Sequence, residues 1–215
     1  MLAFAKAKEV GADGIEIDVR FDADRNVVVF HDRQLDRLTG QKGRMELLST
    51  VERKALRVGG EMVPTLAEVL HEIDLEIDVE LKVNDTGRGG ELVEATAKAI
   101  KDSGRSDQIC VSSFDPFALI QFHRHLPEVA LGYIFGDDQP LPVRKGWVGT
   151  WIGTTLVHPQ HTLVTEDTVA KWHRMGMPIN TWTVDDPAEL RRLSALGVDG
   201  VFSNDPAAAL AVLQA

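Results

Sequence analysis

Charged and apolar residues alternate from Ile15 to Val19, where a glutamate and an aspartate stand between β-branched residues. Side chains i and i+2 of a β-strand point to the same face. A strand here therefore places Glu16 and Asp18 on one face and Ile15, Ile17 and Val19 on the other. Neighbouring carboxylates repel unless a cation or a proton separates them, so this pattern favours a site for a hard divalent metal. The alternative is an exposed edge strand whose acids are simply solvated.

The same alternation returns in the segment Glu-Ile-Asp-Val-Glu-Leu-Lys, which begins at Glu76. Glu76, Asp78, Glu80 and Lys82 would share one face of a second strand. Charged side chains are costly in a core, but they suit a strand end that opens into a polar site. Glu80 is therefore a candidate third carboxylate ligand, and Lys82 could face an anionic substrate. For Glu76 and Asp78 the favoured interpretation is a solvated face.

The rest of the chain alternates between predicted helices and strands. Apolar residues at helical spacing predict a helix over residues 64–73, with Thr65 and Glu68 as a capping box. Other helices are predicted over residues 2–10, 90–103, 116–125, 165–175, 186–196 and 206–213. Other strands are predicted over residues 109–114, 130–135, 155–158, 179–184 and 198–203.

Repeated strand–helix units of this length predict a parallel sheet with helical crossovers. The predicted fold class is α/β, a TIM-type (β/α)8 barrel, although the pattern contains only about seven core strands and begins with a helix. We therefore expect a barrel that lacks its first strand. Residues 1–215 are predicted to form a single domain, with a polar excursion from the barrel at about 32–62.

Composition narrows the possible functions. A net charge of −10 argues against a general nucleic-acid binder, and no apolar run is long enough to cross a bilayer. Cys110 is the only cysteine, so no intrachain disulfide can form. No signal peptide is visible, and the expected location is cytoplasmic.

Several motifs occur in the order in which a known family carries them. They cover nearly the whole chain: residues 11–20, 29–32 (Val-Phe-His-Asp), 35–40, 63–70, 79–82 (Val-Glu-Leu-Lys), 112–114, 180–185 and 197–206. Together they resemble the glycerophosphodiester phosphodiesterases. The resemblance implies a TIM-type barrel that hydrolyses phosphodiesters such as glycerophosphocholine to glycerol 3-phosphate and an alcohol.

The resemblance also implies a metal site and an acid–base group. Glu16, Asp18 and Glu80 match the family positions that bind one divalent cation, often calcium or magnesium. Oxygen-only ligands favour calcium, magnesium or manganese over zinc. His31 matches one of two catalytic histidines, and histidine can give or take a proton near neutral pH.

Three further positions match substrate contacts of the family. Lys82 corresponds to a lysine that faces the phosphate. Phe114 and Trp182 correspond to aromatic positions near the glycerol or the head group of the substrate.

One family motif is absent from the sequence. The family begins with a strand that ends in His-Arg-Gly and carries the other catalytic histidine and a phosphate-binding arginine, and no His-Arg-Gly occurs here. We therefore expect residues 1–215 to bind a metal ion, because the three carboxylates are present, but to have almost no catalytic activity. The Glu16 strand and the last strand, near Val201, would have unpaired edges. Unpaired strand edges pair readily with another chain. We therefore expect either self-association through the gap between these two strands, called the seam below, or a barrel that stays open there.

Three functions remain open from the sequence. The chain is a metal-dependent phosphodiesterase, a non-catalytic barrel that binds phosphodiester or metal, or a metal-dependent lyase or isomerase on the same architecture. His158 and His161 flank a predicted strand end, so either could approach the substrate. The other histidines apart from His31 lie on predicted helices and are expected at the surface.

Overall fold

Strands and helices alternate along the chain as the sequence pattern predicts. The structure is a computed structural model that describes residues 1–83, 89–140 and 147–214. The strands are β1 (Gly14–Phe21), β2 (Val27–Val29), β3 (Glu76–Leu81), β4 (Ile109–Ser113), β5 (Ala130–Phe135), β6 (Leu156–Pro159), β7 (Asn180–Thr181) and β8 (Gly200–Val201). The α-helices are α1 (Leu2–Glu9), α2 (Asp36–Thr39), α3 (Thr50–Ala55), α4 (Leu66–Glu72), α5 (Gly89–Ser103), α6 (Pro116–His125), α7 (Trp147–Ile152), α8 (Glu166–Arg174), α9 (Pro187–Leu196) and α10 (Pro206–Leu213). Single turns of 3₁₀ helix occupy Met45–Leu47, Ser106–Gln108 and His161–Leu163.

The strands form a curved, mostly parallel sheet. The order β1-β3-β4-β5-β6 is parallel throughout, and β2 joins the free side of β1 as an antiparallel hairpin partner. Parallel bridges from Val157 to Ile179 and from Gln160 to Trp182 continue the sheet from β6 to β7, which pairs with β8. This is the order of a (β/α)8-type barrel with seven parallel strands in the described part of the chain.

The barrel is open between β1 and β8. On the side of β1 that faces away from β3, the ladder with β2 covers residues 19–21, and no strand of the described ranges pairs with residues 14–17 there. Within the same ranges, β8 pairs with β7 alone. This gapped barrel is one of the outcomes that the sequence predicts for the edges near Glu16 and Val201.

The hydrophobic core lies between the sheet and the surrounding helices. The apolar residues of the alternating strands are buried there against apolar residues of the helices, including Ile17, Val19, Ile77, Val79, Leu66, Val69, Leu119 and Phe122. Because neighbouring residues of a strand point to opposite faces, the charged residues between them face the barrel interior. The predicted cap of α4 is confirmed, since Thr65 and Glu68 form a reciprocal capping box.

The polar excursion folds over a small hydrophobic cluster of its own, made of Val28, Phe30, Leu35, Met45, Leu56 and Val63. A buried ion pair attaches it to the barrel. Arg53 donates its Nε to Asp22 Oδ2 at 3.1 Å and one Nη to the Val63 carbonyl at 2.7 Å. The excursion is thereby held close to the end of β1.

Across residues 1–83, 89–140 and 147–214, every helix is too short or too polar to span a bilayer.

Candidate active site

Three carboxylates converge in the barrel interior. The parallel register of β1 and β3 places Asp18 beside Glu80, and Glu16 lies two residues earlier on the same face of β1. One oxygen from each of the three side chains lies within 4.8 Å of the other two. The side chains of Asp18 and Glu80 are 12% and 10% exposed, whereas Glu16 is an exposed residue. The structure therefore brings together the three ligands that the sequence predicts.

This cluster carries more negative than positive charge. Burial raises the pKa of Glu80; the nearby Lys82 opposes this rise, and Asp18 adds to it. The pKa of Glu16 is raised too, because its carboxyl lies inside the barrel and is repelled by Asp18, Asp78 and Glu80, although the residue keeps exposed surface. A cation held between the carboxylates would relieve this repulsion and keep them ionised. An all-oxygen donor set suits calcium, magnesium or manganese, so these residues fit one divalent cation of that class.

Lys82 stands between two of these carboxylates. Its Nζ lies 2.9 Å from Asp18 Oδ1 and 2.5 Å from Glu80 Oε1. Burial lowers the pKa of Lys82, but the two carboxylates outweigh that effect, and the net pKa is raised. Lys82 is therefore a permanent positive charge that can contact both the cation ligands and an approaching anion.

We predict that Lys82→Met tightens the binding of Mg²⁺ or Ca²⁺ and weakens the binding of substrate. The ammonium ion competes with a metal for Asp18 and Glu80, and its removal should raise metal affinity roughly 10-fold, or about 1.4 kcal/mol. Calorimetric titration measures this change, with Lys98→Met as a control, since Lys98 pairs with Asp102 on the surface of α5. Weaker metal binding in Lys82→Met would contradict the competition.

His31 lies at the start of the excursion, where its orientation is fixed by a chain of contacts. Its Nδ1 lies 2.6 Å from Asp32 Oδ1, and Arg37 donates two hydrogen bonds of 2.6 Å to the Asp32 carboxylate. The hydrogen bonds from Arg37 lower the pKa of Asp32 to about 2. Arg20 also donates its Nε to the His31 carbonyl at 2.8 Å. The imidazole is thus held by an ionised carboxylate and remains accessible. The Phe30 amide, one residue before His31, donates to the Asp18 carbonyl at 2.9 Å, so this segment lies beside the strand that carries Asp18.

Two aromatic side chains border the same site. Phe114 follows β4 and Trp182 follows β7, and their rings meet edge to face with centroids 5.6 Å apart. The Phe114 ring centroid lies 6.0 Å from Lys82 Nζ. Trp182 Nε1 donates to the His158 carbonyl at 2.8 Å, which fixes the indole. The structure therefore places the predicted aromatic contacts beside the predicted phosphate contact.

A solvated face was the favoured interpretation for Glu76 and Asp78. Glu76 is exposed as expected, but the prediction is wrong for Asp78, which is buried. Asp78 registers with Glu16 on one side and with Cys110 on the other. Closure of the sheet turns the inner face of β3 away from solvent, and alternation alone does not reveal this closure.

The two histidines at the end of β6 lie elsewhere. His158 is buried, and its Nδ1 lies 3.3 Å from Asp78 Oδ2 in a deeper layer of the barrel. His161 Nδ1 lies 2.7 Å from Glu189 Oε1, and Arg192 contacts the same carboxylate at 2.6 Å. The structure therefore gives each imidazole an acidic partner of its own, away from His31.

The sequence pattern does not reveal that Asp32 and Arg37 orient His31. The adjacency of His31 and Asp32 was visible as a motif, but a side chain–side chain contact between sequence neighbours depends on the backbone bend. Arg37 reaches Asp32 from α2, a short helix that the sequence pattern does not predict. The one feature of the sequence that points to this ion pair is an arginine five positions after an aspartate.

The comparisons with known proteins agree with this fold and show the family. The model of the glycerophosphoryl diester phosphodiesterase family matches residues 1–208. A glycerophosphodiester phosphodiesterase of Caldanaerobacter subterraneus subsp. tengcongensis is 30% identical over 95% of this chain and 87% of its own. One of Bacillus altitudinis is 31% identical over 96% of this chain and 88% of its own.

Solved structures show the same architecture. A phosphodiesterase of Oleispira antarctica, solved in complex with the product sn-glycerol-3-phosphate, superposes with a TM-score of 0.89 at 24% identity, covering 99% of this chain and 89% of that one. A glycerophosphodiester phosphodiesterase of Thermotoga maritima superposes with a TM-score of 0.78 at 25% identity, covering 99% of this chain and 89% of that one. The chain therefore has the TIM-barrel fold of these structures and belongs to the glycerophosphoryl diester phosphodiesterase family.

Proposed function

We propose that the protein hydrolyses glycerophosphodiesters to glycerol 3-phosphate and an alcohol, and that it needs a divalent cation to do so. The observation that carries this proposal is the convergence of Glu16, Asp18 and Glu80 around Lys82, with His31 one residue beyond the backbone contact between Phe30 and Asp18. The named activity of the relatives, and the product bound to the Oleispira antarctica protein, point to the same substrate class.

Two groups of the site would bind the phosphodiester: the carboxylates through a cation, and Lys82 directly. Glu16, Asp18 and Glu80 would hold calcium or magnesium, with manganese as a further candidate, and the cation supplies neutralisation of the charge that develops on the phosphoryl oxygens. Lys82 can donate from Nζ to a non-bridging phosphoryl oxygen once its contacts to Asp18 and Glu80 relax. The predicted binding order is therefore cation first and phosphodiester second.

His31 carries the proton transfer in this proposal. Because Nδ1 contacts Asp32, Nε2 is the ring nitrogen that remains for proton transfer to or from the substrate. As an imidazolium ion, His31 can donate from Nε2 to the oxygen of the departing alcohol; as a neutral imidazole, it can accept a proton from water. Asp32 keeps the ring in one orientation.

Phe114 and Trp182 supply the apolar contact. Their edge-to-face rings present carbon surface next to the ammonium group of Lys82, and this combination suits a glycerol backbone or a head group attached to a phosphate. We propose that they position the diester with its phosphate toward Lys82.

The direct test is the release of glycerol 3-phosphate from glycerophosphocholine, measured with and without a chelator. The expected result is release that the chelator abolishes and that added Mg²⁺ or Ca²⁺ restores. Glu80→Gln should abolish it as well, whereas the matched control Glu76→Gln, on the exposed end of the same strand, should not. Release that persists in the chelator and in Glu80→Gln would overturn the metal assignment.

A second candidate is a barrel that binds the cation and the diester with little turnover. Among the residues that the structure describes, the proposal assigns proton transfer to one histidine, His31, while the reaction requires both an acid and a base. We propose that these 215 residues turn over slowly unless a His-Arg-Gly strand precedes Met1. Equal rates with and without such a strand would contradict this proposal and would show that another residue supplies the second proton transfer.

We further propose that the protein self-associates through the seam between β1 and β8. Residues 14–17 of β1 present backbone groups on the side away from β3, and strand edges of this kind pair readily with another chain. Analytical ultracentrifugation should show a concentration-dependent increase in mass. A monomer at all concentrations would argue against the seam as an interface.

A further inference from the structure

A second group of ligand-type side chains lies deeper in the barrel than the carboxylate cluster. It consists of Asp78 on β3, Cys110 on β4 and His158 on β6, and one ligand atom from each lies within 4.8 Å of the other two. Asp78 precedes Glu80 by two residues on the same face of β3, which corresponds to about 6.6 Å along the strand. The group therefore lies one layer below the proposed catalytic cation.

The polar atoms of this group lack the partners that buried atoms normally have. Asp78 is 8% exposed and His158 is 1% exposed. Neither carboxylate oxygen of Asp78 makes a hydrogen bond of standard geometry, although Ser112 and Cys110 lie close to it and His158 Nδ1 lies 3.3 Å from Oδ2; His158 Nε2 has no partner of standard geometry either. Buried polar atoms that lack good partners destabilise the folded state, and a bound ligand would supply the missing contacts.

The imidazole of His158 fits inside the barrel because the neighbouring position on β5 is a glycine, Gly132. A Cβ atom added to Gly132 would lie 2.6 Å from His158 Cε1 and 2.9 Å from His158 Nε2, closer than real Cβ atoms approach. The Phe202 ring also packs edge to face against His158, with a centroid distance of 5.1 Å. Gly132 and Phe202 therefore hold the ring of His158 in the orientation that directs Nδ1 toward Asp78.

We propose that Asp78, Cys110 and His158 form a second metal site, distinct from the carboxylate cluster and selective for a borderline-soft divalent ion such as Zn²⁺. A thiolate, an imidazole and a carboxylate are the donors that zinc prefers, whereas Mg²⁺ and Ca²⁺ prefer oxygen alone. Binding replaces the proton of the Cys110 thiol, which leaves to solvent, and a water molecule completes the tetrahedral set.

The site would have a structural role. Its ligands come from β3, β4 and β6, so one ion would link strands across the interior of a barrel that is open between β1 and β8. Binding to the folded state alone stabilises that state in proportion to the logarithm of the ion concentration. We therefore expect Zn²⁺ to raise the thermal unfolding midpoint of the protein.

Co²⁺ is the probe that tests this site, because a cobalt–thiolate bond gives a charge-transfer absorption in the near ultraviolet that carboxylate ligands do not give. In excess Mg²⁺, which fills the carboxylate cluster, one equivalent of Co²⁺ should produce this absorption in the unaltered chain. Cys110→Ser and His158→Gln should abolish it, while Glu16→Gln combined with Glu80→Gln should retain it in full. That double variant separates this proposal from the proposed function, because it removes the other cation site and leaves this one.

Two results would overturn the second site. One is the absence of the cobalt–thiolate absorption in the unaltered chain, a measurement that depends on no variant. The other is an absorption that survives in His158→Gln, which would show that Cys110 binds cobalt without the buried group. An increase in the unfolding midpoint with Zn²⁺ in the unaltered chain, and its loss in Cys110→Ser, would support the structural role.

Discussion

His31→Ala is expected to lower the turnover of glycerophosphocholine by about 10²–10⁴-fold, the usual contribution of a positioned acid or base. The imidazole is fixed by Asp32 through Nδ1, so its Nε2 is the group that transfers the proton. The measurement is the steady-state rate of glycerol 3-phosphate release, made in the form of the chain in which a His-Arg-Gly strand precedes Met1. The free energy of unfolding should change little, because the His31 side chain is largely exposed.

His123→Ala is the matched control for this variant. His123 is also exposed, but it lies on α6 with its side chain at the surface, and its replacement should leave turnover unchanged. The turnover of Asp32→Asn should lie between those of His31→Ala and His123→Ala, because the His31 ring keeps its Nε2 but loses the carboxylate that orients it. Near-normal turnover in His31→Ala would show that the dyad of His31 and Asp32 is only structural.

Arg53→Met is expected to lower the free energy of unfolding by about 3–5 kcal/mol, the cost of leaving one member of a buried ion pair unpaired. The Arg53 and Asp22 side chains are 3% and 0% exposed, and their Nε–Oδ2 distance is 3.1 Å. Without Arg53, the Asp22 carboxylate keeps its contacts with Asn26 but loses its buried cation, and it remains out of water. Urea unfolding followed by circular dichroism measures the change.

The control for this prediction lies one residue along the same helix. Lys54 is exposed on α3, and Lys54→Met should change stability by less than about 0.5 kcal/mol. Asp22→Asn combined with Arg53→Met should recover part of the loss, because it removes the uncompensated charge. A loss in Arg53→Met no larger than that in Lys54→Met would contradict the role of this pair in attaching the excursion to the barrel.

Local alternation was enough to predict where the carboxylate ligands point. Glu16 and Asp18 occupy alternate positions of one strand, so their common face follows from strand geometry alone. The approach of Glu80 needed one more fact, the parallel pairing of β1 with β3, and repeated strand–helix units predict parallel pairing. The exact register that sets Asp18 beside Glu80 was not readable from the sequence.

The deeper layer of the barrel could not be predicted from local pattern. Asp78 has the same alternation as Glu76, yet one residue is buried and the other is exposed. The difference arises from the tilt and closure of the sheet, which bring β6 across the barrel so that His158 meets Asp78. Contacts between residues 80 positions apart depend on the whole topology and leave no local signal.

Calorimetric titration of the protein with Mg²⁺ and, separately, with Ca²⁺ tests the carboxylate cluster directly. We expect one oxygen-ligated cation per chain in the unaltered protein and in Cys110→Ser, and no binding in Glu16→Ala combined with Glu80→Ala. Unchanged affinity in that double variant would contradict the assignment of Glu16, Asp18 and Glu80 as the cation site, and with it the proposed mechanism.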